Sequence, residues 1–251
     1  MAGRRDRVGK HPLAVAVTLV LIATATPTAA SAQTASPHAL APDATGAIPY
    51  FIADADVGSG FRSGDAELVR WALREWERRT GGVLRFREAD SEVTSMVRFH
   101  WLPWEADAEL GRMEPSMQDG RVVASIVIRP DQEHFRPSIK RRVREDPLMR
   151  DVVVYYVCLH EIGHALGLSH SMNPRDVMWS GGNGVTLPVY DRYRKQLPAR
   201  EAIPQVSWLS QDDVSRFKAL MVKPGPPPPP LTQFGIVLNV LEEWRQTSAR
   251  P

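Results

Sequence analysis

The residues best equipped for chemistry lie in one stretch, HEIGHALGLSH, running from His160 to His170. On a helix, residues four apart are displaced by ~6 Å along the axis and point nearly the same way. His160 and His164 can therefore converge on one ion. Zinc takes imidazole nitrogens at ~2.0–2.1 Å in a tetrahedral array, and a catalytic site leaves one position open. Gly167 supplies a residue that can adopt the left-handed conformation ending a helix, and the turn would swing His170 back as third ligand. Glu161 then sits beside the metal rather than on it. A carboxylate there can take the proton of zinc-bound water, whose pKa falls towards ~7, and pass it to a leaving amine. The competing reading is a set of hydrogen-bonded core histidines. A bare HExxH fits that reading; five positions specified together do not.

These residues need a buried helix to carry them. The apolar run VVVYYVCL leads into His160, with Asp146-Pro147, or Asp151 a turn later, as its start. Upstream, IPYFIADAD (48–56), VLRFREA (83–89), SMVRFHWLPW (95–104) and RVVASIVIRP (121–130) read as strands. In the third, Val97, Phe99 and Trp101 share one face. SGDAELVRWALREWERRT reads as a helix capped by Ser63 or Asp65 and ended by Gly81-Gly82. A short extended piece is expected around Glu109 to Met113, before a turn at Asp119-Gly120. The basic stretch RPSIKRRVREDP has no interleaved aromatic residues, so it reads as a solvated loop or helix face and not as a nucleic-acid patch. Cys158, two positions before His160, should face away from the metal as a buried thiol.

The chain has 251 residues, 43% of them hydrophobic, with a formal charge of +2. This suits one sizeable core, and nothing in the charge calls for nucleic acid. A basic start, the run LAVAVTLVLIATA and small residues ending Ala30-Ser31-Ala32 have the pattern of a secretory signal peptide over residues 1–32. The apolar run is too short for the ~20 residues that span a bilayer, so no stable membrane anchor is expected. The reading is of a protein secreted to the periplasm or beyond, cleaved near Ala32/Gln33. Cys158 is the only cysteine, which excludes an intramolecular disulfide. Residues 33–47 read as a flexible leader, 223–230 as a polyproline linker, and 231–251 as an amphipathic helix and tail.

HEIGHALGLSH looks like the zinc signature of the metzincin metalloproteases. SMNPRDVMWS places Met178 eight residues after His170, resembling the Met-turn beneath the zinc site of that clan. HS..P...M is closest to the matrixins, and LSQDDVSRFKALM (209–221) is similar to their final catalytic helix. The likeness covers about Ile48 to Val222. It implies an α+β, metzincin-type zincin domain: a twisted, mostly parallel sheet, an active-site helix and a C-terminal helix. It also implies a zinc endopeptidase acting on protein or peptide substrates, with one zinc ion. Extended peptides would pair with an edge strand near Leu110 to Met113, or alternatively Val123 to Ile126. Met178 would pack under the histidines, and Trp179, Pro188 and Tyr190 would wall the substrate pocket. PVY, at 188–190, resembles the family's Pro-x-Tyr wall, displaced by an insertion within the long Trp179–Trp208 segment. The chain departs from the family in lacking the cysteine-switch propeptide and the His/Asp cluster of a structural zinc site. His100 and His134 are assigned to no metal, and no calcium loop is recognisable. The rival reading is a secreted zinc-containing binding module without turnover, and Glu161 argues against it. The sequence sets no oligomeric state.

Overall fold

The computed structural model describes residues 40, 42–106, 108–181 and 187–221. The signal segment, most of the leader, the linker and the final helix expected over 231–251 lie outside the described residues. Five strands form one sheet in the order β2-β1-β3-β5-β4, with β1 Ile48–Ile52, β2 Phe86–Glu88, β3 Val97–Trp101, β4 Gly111–Gln118 and β5 Arg121–Ile128. β1, β2, β3 and β5 run parallel; β4 runs antiparallel to β5. The expected extended piece before Asp119-Gly120 is thus a full edge strand of eight residues. Val123 to Ile126 lies inside β5, which is paired on both sides, so the alternative placement of the substrate edge is corrected.

Register explains the buried face. Val97 lies opposite Ala124, Phe99 opposite Ile126, and Trp101 opposite Ile128, and all six side chains are buried. Alternation of apolar and polar residues along β3 put these side chains on one face, and parallel pairing aligned the rows. Helix α1 (Asp65–Thr80) buries Leu68, Val69, Ala72 and Trp76, and packs against α3 (Leu148–Ala165). Trp76 Nε1 donates to the Leu159 carbonyl at 3.1 Å, tying the two helices together. The basic stretch forms a helix, α2 (Pro137–Glu145), with Ile139 and Val143 buried. Two more α-helices follow among the described residues, α4 (Leu187–Arg194) and α5 (Gln211–Met221), with a 3-10 helix at Arg200–Gln205 between them. No helix among the described residues is long and apolar enough to cross a membrane.

The expected caps need correction. Gly64, not Ser63 or Asp65, precedes α1, and no side chain caps that end. The Asp65 carboxylate instead accepts from Arg62 N at 2.8 Å and from both terminal nitrogens of Arg150, at 2.6 and 2.8 Å. Pro147 precedes α3, again with no side-chain cap. Asp151 stands inside α3 and pairs with Arg200 at 3.0 Å.

Candidate metal centre and active-site cavity

Helix α3 carries His160 and His164 on one face, and its end is set by backbone geometry. Gly167 has φ 93°, and Leu168 N donates to the Gly163 carbonyl at 2.9 Å, closing the helix in a left-handed turn. That turn also presents the Leu168 carbonyl to His164. The two contacts at 2.8 Å, His164 Nδ1 to Leu168 O and His160 Nδ1 to Val177 O, meet acceptors only. Each Nδ1 must therefore carry the proton, which leaves a lone pair on each Nε2. The Nε2 atoms of His160, His164 and His170 lie 3.1–3.2 Å from one another. Nitrogens ~2.0–2.1 Å from one tetrahedral ion would lie about 3.3–3.4 Å apart, so the triad fits zinc. Burial, reinforced by His164 and His170, pushes His160 down from 6.5 to about 3, and burial also lowers His164. Both shifts favour the neutral, ligating form. Among the described residues this is the one histidine, cysteine or carboxylate cluster with such spacing.

Below the triad, Met178 is fully buried, and its sulfur packs against Gly163 between the two helical histidines. Any side chain at Gly163 would collide with it. The turn holding Met178 is fixed by Asp213 on α5. Its carboxylate accepts from Val177 N at 2.9 Å, Met178 N at 3.2 Å and Ser210 N at 3.0 Å. Asp213 N in turn donates to Ser210 Oγ at 2.9 Å, so Ser210 and Asp213 form a reciprocal helix cap. Sequence reasoning missed Asp213; the Ser-x-x-Asp spacing in LSQDD was the available signal.

A cavity of about 620 Å³ opens beside the histidines. Glu161 lines it yet is only 6% exposed. Burial pushes its carboxyl up to about 8, helped by the charge of Glu109 and opposed by the Met113 backbone N–H. Strand β4 can cross so close only because Gly111 lacks a side chain: a Cβ there would lie 2.7 Å from Glu161 Oε1. Trp179 and Tyr190 line the same cavity. Pro188 does not; it stands exposed at the second position of α4, where it begins a helix instead of an extended wall. The insertion thus delivers Tyr190 from a helix face. Cys158 is buried away from the cavity, and burial raises its thiol well above the usual value. His100 lies 3.7 Å from Glu92, and His134 lines the cavity with Nδ1 2.8 Å from Asp131 and its ring stacked on Trp104. Glu109 and Arg136 were also missed as cavity residues, and no sequence spacing marks them; Gly111 lies within the edge expected at Leu110 to Met113.

One family comparison spans the residues of this site. Residues 61–184, from before α1 to just past the Met178 turn, match the matrixin peptidase family. The chain is also similar to the crystal structure of archaemetzincin from Methanopyrus kandleri, at 12% identity over 71% of this chain and 98% of that one, with a TM-score of 0.42. The matrixin match, which contains the histidine triad, and the mixed five-stranded sheet with its helices support a metzincin-like zinc metallopeptidase.

Proposed function

We propose that the chain is an exported zinc endopeptidase in which His160, His164 and His170 hold the metal and Glu161 moves the protons. The observation that carries this reading is the convergence of three imidazole nitrogens within 3.1–3.2 Å, next to a carboxylate buried in the same cavity. Zinc, when bound, supplies a Lewis acid that polarises a carbonyl and acidifies water. Glu161 accepts the proton of the attacking water and returns it to the leaving amine. Glu161 lines the same cavity as the three histidines, within reach of a water held there. β4 is an edge strand among the described residues and passes the cavity at Gly111 and Met113, just after Leu110, where an extended peptide can add as a further strand. An edge open along its length suits an internal peptide bond. Export with cleavage near Ala32/Gln33 rests on the Ala30-Ser31-Ala32 pattern; N-terminal sequencing that finds Met1 on the exported chain would refute it.

Two variants separate the enzyme from a non-catalytic zinc module. His164→Ala should lose most zinc and some stability, because metal binding contributes to the folded state. Glu161→Ala should keep zinc and fold, but lose peptide hydrolysis by at least ~10²–10⁴. Metal content, melting and cleavage are measured together on both. A wild type that holds zinc yet cleaves nothing across a broad peptide library is a binding module. A Glu161→Ala variant as active as wild type places the base elsewhere.

A further inference from the structure

The cavity does not end at the histidines. The Tyr156 ring stacks 6.5 Å from His160, and the Tyr190 ring meets Tyr156 edge-on at 5.3 Å. Tyr190 is 4% exposed and lines the cavity, and no hydrogen-bond partner reaches its hydroxyl among the described residues. Burial pushes that hydroxyl up to about 12, so it remains a donor at neutral pH; the charge opposing the shift is Arg136. Arg136 lines the same cavity and is exposed. Its neighbours Arg142 and Arg194 are engaged by Asp191 and Asp146, whereas Arg136 has no carboxylate partner among the described residues.

Arg136 is also the residue that precedes α2. Pro137 occupies the first turn, no side chain caps it, and no acidic residue lies there. The backbone N–H groups that open α2 and the positive end of its dipole are therefore left for an outside acceptor. Ile139, in that first turn, lines the cavity too. The cavity's own carboxylates, Glu109 and Glu161, belong to the β4 side, where the charge of one acts on the other. A cation, a hydroxyl donor and an uncapped helix start thus line the same cavity, and the charge of Arg136 acts on the Tyr190 hydroxyl.

We propose that this part of the cavity is a carboxylate subsite, in which Arg136, the Tyr190 hydroxyl and the start of α2 hold an acidic group of the substrate. The group is either the side chain of an Asp or Glu flanking the scissile bond or the free C-terminus of a short peptide. The proposal rests on the peptidase reading above and narrows it to a substrate class. An Arg–carboxylate pair with a second donor is the stronger kind of hydrogen bond, so discrimination between an acid and its amide should be large.

The test uses internally quenched peptides differing only by Glu or Gln at one position flanking the cleaved bond, each made with a free and an amidated C-terminus. Wild type should favour the acid over the amide by at least about tenfold in kcat/KM. A Glu/Gln difference identifies the side chain as the source, and an acid/amide difference at the terminus identifies the chain end. Arg136→Gln should bring the ratio to within about twofold, Arg136→Glu should invert it, and Tyr190→Phe should reduce it in part. A wild-type ratio within twofold, or one that survives Arg136→Gln, overturns the subsite while leaving the peptidase reading intact. If no peptide is cleaved, the peptidase reading falls instead. Calorimetric binding of the same peptides to zinc-loaded Glu161→Gln protein then decides the subsite by the same ratio.

Discussion

Three buried carboxylates near α3 sit in two kinds of surroundings. Between α1 and α3, Asp65 is matched by both terminal nitrogens of Arg150, and at the Met178 turn Asp213 accepts three backbone N–H groups. In the cavity, Glu161 has the Met113 N–H on one side and the like charge of Glu109 on another. All three are largely removed from water, at 1%, 0% and 6% exposure. Burial raises both Asp213 and Glu161, but for Asp213 three hydrogen bonds oppose it. A buried acid with its partners in place locks the frame; one short of partners is held ready to take a proton.

The largest effect should come from breaking a satisfied pair. Arg150→Ala leaves the Asp65 carboxylate buried without its cation and should cost about 3–5 kcal/mol, read from denaturant unfolding. A loss below about 1 kcal/mol would mean that water reaches Asp65 and that the pair is not part of the frame. A smaller loss is expected at Asp213. Asp213→Ala strands three N–H groups and should cost about 2–3 kcal/mol. It should also loosen the Met178 turn, so zinc affinity should fall although no ligand has changed. Unchanged zinc affinity would uncouple α5 from the metal centre.

The same contrast explains what the sequence disclosed. The triad was legible because its geometry is local: a four-residue spacing and a glycine-driven turn. The strands were legible by alternation, though Ile48–Ile52 is shorter than the apolar run suggested. Ser63, Asp65 and Asp146 looked like caps because their types suit that role. Asp65 was instead claimed by Arg150, 85 residues away, which no local rule can see. Glu109 beside Glu161, Arg136 beside Tyr190 and Gly111 over Glu161 likewise exist only once β4, α2 and α4 converge on α3. Pro188 failed for a related reason, since the inserted segment folds as a helix and turns Tyr190 inward while Pro188 faces out.

The central claim is that Glu161 is held short of partners for proton transfer, and metal-free protein tests it most directly. Its folded pKa, about 8, stands above the usual value near 4.5, so over that interval the folded chain binds a proton that the unfolded chain releases. Stability from this group is present at low pH and lost as pH rises through 8. His160 acts in the opposite sense, but only between about 3 and 6.5. From pH 6.5 to 8 the melting temperature of wild type should therefore fall relative to Glu161→Gln, which cannot ionise, and the variant should be at least as stable as wild type at pH 8. The variant should nonetheless cleave peptides at least ~10²-fold more slowly once zinc is restored. Parallel melting curves across that range, with Glu161→Gln the less stable at pH 8, would show Glu161 to be one more satisfied carboxylate of the frame and would contradict the account.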